Sequence, residues 1–454
     1  MKVSKYNQVI EKEGNLILFN ALSNAILYIE PSKKEQVKKL LETGGAEKSN
    51  LPQEDIEKLE KGLYILPDEF DEITYLKMRF DNFKYSDRFI RYTISLTDEC
   101  NFSCVYCYQQ MLNSLMGKKP AKISKEIIDN ILNITEERFK EEHPKVLSVT
   151  YYGGEPLLAI EELERLSYGF QSLCEKYEVK YEPNAITNGY LLTPTVVERL
   201  LNCGMNSVMI TLDGDKTLHD SYRKLKSGGP TFDRIMENIA YAQDKMYITI
   251  RTNISKGSVE NAKSLIKILA EKGWRVDFNF QPIEVVKELP IPFNGENEML
   301  TLQEFALLEV DLYTEVLNQI PDYPFNPFRK IRMARCDALC KNSSVIDVDG
   351  SIYKCWGEIG NKFSSVGKLT KKDLVLNHNF EKWITYEPFE DKSCLECPVL
   401  PMCMGGCVFN AVVVERLNGC PWRKPYTCIP LRYNLKEMVE LVTEQKFKQK
   451  VRKG

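Results

Sequence analysis

Twelve of the fourteen cysteines in this 454-residue chain fall into two groups, three at Cys100, Cys104 and Cys107 and nine between Cys336 and Cys428. The spacing Cys100-x3-Cys104-x2-Cys107 puts three thiolates on one short loop. Three ligands on a 4Fe–4S cluster leave one iron without a protein ligand, open to a substrate or cofactor, whereas electron-carrying ferredoxin sites complete four cysteines per cluster. The histidines, His143, His219 and His378, stand apart from the closely spaced cysteines, His378 in the long gap between Cys355 and Cys394, which disfavours mixed Cys/His zinc sites and leaves thiolate-only ligation. A secreted disulfide scaffold is short and cysteine-dense throughout, and this chain is neither. Cys174 and Cys203 stand apart and read as small buried hydrophobes.

The elements that must carry the first group begin with Phe89–Thr97, whose period-two alternation predicts a strand ending just before Cys100. Ser124 is a helix N-cap candidate ahead of Ile127, Ile128, Ile131 and Leu132 at helical spacing. Further strands are expected at 146–152, 180–187, 207–212, 247–253 and 276–280, with helices at 158–177, 194–201, 232–243 and 259–271. Six such βα units with short connections demand a parallel sheet and right-handed crossovers. The fold class is therefore α/β, a partial (β/α)6 TIM barrel over residues 86–320, with the working site beyond the carboxyl ends of its strands. Residues 1–85 read as a small α+β domain, with strand-like pieces at 8–10, 16–19 and 25–30 before helices at 33–42 and 52–61. Residues 321–435 hold most of the cysteine and few long periodic segments, the composition of a domain stapled by metal. Residues 436–454 read as a basic C-terminal tail, a solvated end rather than a nucleic-acid arm.

The cysteine loop, with the aromatic Tyr106 before its third cysteine, resembles the signature of the radical S-adenosylmethionine superfamily. Gly153-Gly154-Glu155-Pro156 follows the second strand and is similar to that family's GGEP motif, whose backbone and glutamate the resemblance assigns to the methionine amino group. It likewise implies ribose and substrate contacts at Thr187, Asn188 and Asp213, on the next two strand ends, and at Arg251 on the fifth strand. The run from Asp213 through His219, Arg223, Thr231 and Asn238 looks like the peptide- and protein-modifying branch. The C-terminal group resembles the SPASM domain, which implies two auxiliary 4Fe–4S clusters. By the family's interleaved pattern Cys336, Cys340, Cys355 and Cys407 would hold one, and Cys394, Cys397, Cys403 and Cys428 the other. Cys420 competes with Cys428 as last ligand, and without Cys336 the first auxiliary cluster would keep an open iron. A pair of zinc ribbons is the alternative, since cysteine spacing alone does not name the metal.

The resemblance implies S-adenosylmethionine and three 4Fe–4S clusters as cofactors, a 5′-deoxyadenosyl radical as reagent and an electron donor such as flavodoxin or ferredoxin. It assigns no acid–base group. In sulfatase maturases an aspartate follows the cysteine equivalent to Cys355; here that residue is Trp356, which counts against formylglycine formation. The N-terminal domain is similar in architecture to the winged-helix recognition domains that capture a leader peptide as an added strand. The function expected is oxidative cross-linking of a ribosomally made precursor peptide, as a Cys thioether of the sactipeptide or ranthipeptide type. The alternatives are carbon–carbon cross-linking, anaerobic sulfatase maturation and, outside enzymes, a zinc protein binding nucleic acid. A net charge of -3 disfavours the last. No apolar run reaches membrane-span length and the start opens no signal-peptide core, so the expectation is a cytoplasmic protein with no membrane or nucleic-acid partner.

Overall fold

The computed structural model describes residues 1–43, 51–283, 299–328, 336–371, 373–415 and 427–453. It divides into two compact units, one of residues 1–84, 302–336 and 386–454, the other of residues 85–301 and 337–385. This partition cuts across the domain boundaries read from the sequence. Helix Leu302–Gln319, placed in the barrel by the sequence, belongs with the N-terminal residues, and the cysteine-rich segment is shared between both units.

In the first unit, strands β1 (Lys2–Val3), β2 (Asn7–Lys12), β3 (Asn15–Asn20) and β4 (Ala25–Ile29) precede helices α1 (Lys34–Glu42) and α2 (Gln53–Lys61). Next come β5 (Ile65–Leu66) and α3 (Glu72–Lys84). Strands β2, β3 and β4 form an antiparallel sheet with β3 at its centre, and β1 pairs with β5. The middle strand is apolar almost throughout because both its faces are covered. Leu16 and Leu18 pack with Val37, Leu40 and Leu59 from the two helices. The helix-like segment that ends in the basic tail is a helix over Leu431–Lys453, with Met438, Val439 and Val442 buried. That helix packs on helix Leu302–Gln319, where Asn434 Nδ2 donates to the Ala306 carbonyl at 2.7 Å.

In the second unit, β6 (Phe89–Ser95), β8 (Val146–Tyr152), β9 (Lys180–Thr187), β10 (Ser207–Thr211), β12 (Tyr247–Ile254) and β13 (Val276–Pro282) run parallel in that order, as the six expected strands. Two short strands, β7 (Phe102–Cys104) and β11 (Arg223–Leu225), pair separately. Ser124 caps the first long helix by accepting from the Ile127 N–H at 3.2 Å. The helices cover the face bearing Tyr92 and Tyr151, whose partners are Phe170 and Ser167. The opposite face carries half-buried polar residues, among them Arg91, Thr93, Ser148, Thr150, Asn184 and Arg251. A closed eight-stranded barrel fills that face with branched apolar side chains; here it is polar. The sheet also continues past β6. β14 (Ser343–Ile346) adds in parallel, and β15 (Ser351–Tyr353), β16 (Gly367–Leu369) and β17 (Leu374–Leu376) follow antiparallel. The sequence reading had no strands there.

Candidate active site

Cys100, Cys104 and Cys107 lie at the carboxyl edge of the parallel sheet, on the stretch that leaves β6, forms β7 and enters helix Tyr108–Leu115. Burial pushes the Cys100 thiol up to about 12 and the Cys104 thiol up to about 11, and each of the three is affected by a neighbouring member of the set or by the charges around it. The Phe102 N–H donates to Cys100 Sγ at 3.4 Å. Backbone N–H groups of Gln109 and Gln110, in the first helical turn, face Cys107 and oppose the effect of its burial. Half-buried thiols beside N–H donors and a cation are stabilised as thiolates once a metal arrives, so the donor set fits the three-cysteine side of a 4Fe–4S cluster. Among the described residues no three Cys, His, Asp or Glu side chains converge as a single-ion site.

The GGEP turn explains how the loop is placed. A Cβ on Gly153 would sit 2.4 Å from the Thr97 carbonyl oxygen, and one on Gly154 2.2 Å from that of Glu99. The glycines are required by the close approach of the chain's own segment leading to Cys100, where Gly154 and Glu155 donate their N–H groups to Thr97 and Glu99. Glu155 is wholly buried. One carboxylate oxygen accepts from Thr187 Oγ1 at 2.6 Å and the Leu157 N–H at 3.1 Å, the other from the Asn188 N–H at 2.7 Å. Burial raises its pKa, and those three donors oppose the rise. Both oxygens thus face protein donors, and Glu155, Thr187 and Asn188 form a clamp between strand ends. Asn188 Nδ2 continues it to Asn101 Oδ1 at 2.8 Å, beside Cys100. Pro156 is buried in the turn that follows.

A second network braces the other side. Asp213, fully buried, accepts from the Tyr106 hydroxyl and from both the backbone N–H and Nδ2 of Asn253 at 3.0 Å. Arg223 Nη1 donates to the Tyr106 hydroxyl at 2.7 Å. The Asp213 N–H donates to His219 Nδ1 at 3.3 Å, which leaves Nε2 protonated and donating to Thr231 Oγ1 at 3.1 Å. That hydroxyl donates onward to the Arg223 carbonyl, fixing His219 as the neutral tautomer. Burial and then Arg223 hold its pKa well below the usual range. Of the residues read as ligand contacts, Thr187 and Asn188 meet at Glu155, and Asp213 lies in this second network with Tyr106 and Asn253. Arg251 is half-buried at the end of β12, with Nε donating to Asn253 Oδ1 at 3.1 Å.

Sequence reasoning named Arg223 only inside a longer motif, and gave no role to Asn253, Tyr108 or Tyr152. The Tyr108 and Tyr152 hydroxyls are 2.9 Å apart, and Tyr108 also donates to the Trp356 carbonyl at 3.0 Å. The Tyr152 and Trp356 rings stack with centroids 5.8 Å apart. Their signal in the sequence is position alone, beside Cys107, Gly153 and Cys355. Lys354, buried, donates to the carbonyls of Cys340 and Ser343 at 2.6 Å and so ties the Cys340 and Cys355 segments together.

In the first unit, Cys394, Cys397 and Cys428 affect one another, and Arg432 Nη1 donates to Cys428 Sγ at 3.0 Å. Cys403 and Cys407 lie on the same stretch, where a Cβ on Gly406 would meet the Thr427 carbonyl oxygen at 1.9 Å. Cys420 lies outside the described residues.

Comparison with known proteins agrees with this geometry. Residues 94–271 match the Radical SAM superfamily. The radical SAM cyclopropyl synthase TigE of Paramaledivibacter caminithermalis is 21% identical over 73% of this chain and 70% of its own length. The cysteine-type anaerobic sulfatase-maturating enzyme of Clostridium perfringens is 24% identical over 68% of this chain and 85% of its own. The crystal structure of Streptococcus suis SuiB bound to precursor peptide SuiA shares the fold over 90% of this chain and 96% of that one, with a TM-score of 0.50 at 16% identity. The superfamily implies S-adenosylmethionine and a 4Fe–4S cluster at the loop just described. Cysteine loop, parallel sheet and relatives together identify residues 94–271 as a radical SAM domain.

Proposed function

We propose that this protein is a radical SAM peptide maturase that oxidatively cross-links a ribosomally made precursor peptide through a Cys thioether. When bound at Cys100, Cys104 and Cys107, the cluster and S-adenosylmethionine supply a 5′-deoxyadenosyl radical able to take hydrogen from an unactivated carbon. The chain's own residues do the rest. Glu155, Thr187 and Asn188 fix the cysteine loop to the strand ends, and Asp213, Tyr106 and Arg223 fix its far side. The half-buried polar face of the sheet gives a peptide backbone donors and acceptors to meet. A thioether forms a C–S bond, giving up one hydrogen atom from carbon, one proton from the thiol and one electron. That electron needs an acceptor. An auxiliary cluster would supply one, held by Cys394, Cys397, Cys403 and Cys428 with Arg432 donating to Cys428, and a second ligand set of Cys336, Cys340, Cys355 and Cys407 is what the resemblance implies. Sheet β2–β3–β4, with edge strands on both sides, supports capture of a leader peptide by strand addition. A flavodoxin or ferredoxin would supply the first electron. Among the described residues no helix is long and apolar enough to cross a membrane.

The observation that carries this reading over sulfatase maturation is Trp356. The position after Cys355 bears an indole, 43% exposed and stacked on Tyr152, and no carboxylate to act as base. The test is anaerobic reconstitution, then turnover with two substrates: a cysteine-containing precursor peptide encoded beside the gene, and a sulfatase-derived peptide. The expected outcome is about twelve irons per chain, 5′-deoxyadenosine, and a precursor lighter by two hydrogens whose thiol no longer alkylates. A hydrazine-reactive aldehyde on the sulfatase peptide, with the precursor unchanged, would overturn it.

A further inference from the structure

The short pairing of β7 with β11 places Arg223 directly opposite Cys104 in register. Cross-strand neighbours hold their Cβ atoms about 5 Å apart, so this cation faces a cysteine of the loop rather than solvent. Arg223 is buried, and its guanidinium lies over the Phe102 ring at 5.8 Å. Nη1 is used by Tyr106, with the Asp213 carboxylate 3.7 Å away. Nε is buried and has no hydrogen-bond partner among the described residues. A buried guanidinium N–H left unmatched is costly unless something accepts from it. Tyr106 and Asp213 hold the guanidinium through Nη1. The Cys104 thiol, a sulfur acceptor, stands beside Arg223 in register, and the Arg223 charge favours the thiolate forms of both Cys104 and Cys107.

We infer that Arg223 is a positioning residue for the cluster, donating a hydrogen bond from Nε to the Cys104 thiolate or an adjoining cluster sulfide. This rests on the three-cysteine loop holding the cluster. One-electron reduction adds a negative charge to the cluster, and a fixed cation with an N–H on sulfur stabilises the reduced form. Arg223 thereby raises the reduction potential of the cluster and eases the electron transfer on which cleavage of S-adenosylmethionine depends.

The experiment is an EPR-monitored redox titration of the reconstituted full chain, with and without S-adenosylmethionine, for the wild type and Arg223→Gln. At full iron content the variant's reduced-to-oxidised ratio at fixed potential falls about tenfold, a midpoint lower by about 59 mV. Arg223→Lys, which keeps the charge, falls less. A purely structural role would change iron content and leave the midpoint alone, so a fully loaded Arg223→Gln protein with the wild-type midpoint overturns the assignment. Should that variant not fold, proton ENDOR on the reduced wild type in H2O and D2O decides: a strongly coupled exchangeable proton is expected, and its absence overturns the inference. Failure of the radical SAM reading itself looks different, as a wild type with no cluster signal responsive to S-adenosylmethionine.

Discussion

The two cysteine regions are held in contrasting ways. Around Cys100–Cys107, buried polar groups arrive from the ends of four strands: Glu155 after β8, Thr187 at the end of β9 with Asn188 just past it, Asp213 after β10 and Asn253 on β12. Around Cys394–Cys407 the backbone is held mainly by short turns, with the Cys397 N–H on the Cys394 carbonyl at 3.0 Å and the Gly406 N–H on that of Cys403 at 3.1 Å. Longer bonds join the Cys407 N–H to the Thr427 carbonyl at 2.8 Å and the Tyr386 hydroxyl to the Gly405 carbonyl at 3.0 Å. The barrel shapes the first loop through groups distant in sequence. The second region buries Val399, Leu400, Met404 and Val408 locally, and its half-buried thiols would gain further order from whatever they bind.

The largest effect that could break this contrast is anaerobic removal of iron by a chelator. Amides over residues 394–407 should then exchange about a thousandfold faster, about 4 kcal/mol of lost local protection, while residues 97–106 change by less than about tenfold. Equal losses in both regions, read by hydrogen exchange, would show that the barrel does not hold its loop. Next in size is Gly154→Ala. With a Cβ 2.2 Å from the Glu99 carbonyl oxygen, the turn must separate from the segment leading to Cys100. Urea unfolding of the barrel should lose about 3 kcal/mol, and S-adenosylmethionine cleavage should fall with it. A variant of unchanged stability would remove the steric account of the motif.

The smallest concerns pH. His219 stays neutral when folded, with its pKa held below the usual value by burial and Arg223, while unfolded it titrates near 6.5. The unfolded chain therefore binds the extra proton, and barrel stability should fall as pH drops below about 6.5, by at most about 1.4 kcal/mol per unit. In His219→Gln that part of the slope disappears. Residues 386–454 contain no histidine, so the second cysteine region should show no such component.

How much of this was legible in the sequence depends on the range of the interaction. Strands Val146–Tyr152 and Lys180–Thr187 coincide with their periodic runs because alternation is a local property. The cysteine spacing and GGEP were legible for the same reason. The pairing of β7 with β11 was not: each strand has three residues, too few for a period, and they lie more than a hundred positions apart. Arg223 was consequently visible only as part of a motif, without its partner Cys104. Nor could the sequence say that Gly153 and Gly154 are pressed against Thr97 and Glu99, or that Asp213 is turned to Tyr106. Residues 343–376 were missed as strands because Ser343–Ile346 and Ser351–Tyr353 are short and buried on both faces, which removes alternation.

Those added strands bear on modularity. In an open six-stranded sheet β6 would be an edge, presenting a row of unpaired N–H and C=O groups of the kind that recruits other chains into aggregates. Here the register Ser343↔Arg91 to Ile346↔Ile94 covers that row. The strand that delivers the first cysteine loop is thus guarded by the hairpin whose end carries Cys355. Residues 337–385 are not cargo that can be trimmed from a minimal catalytic barrel, and any lineage or designer that recombined the two halves would have to supply another cover for the same backbone.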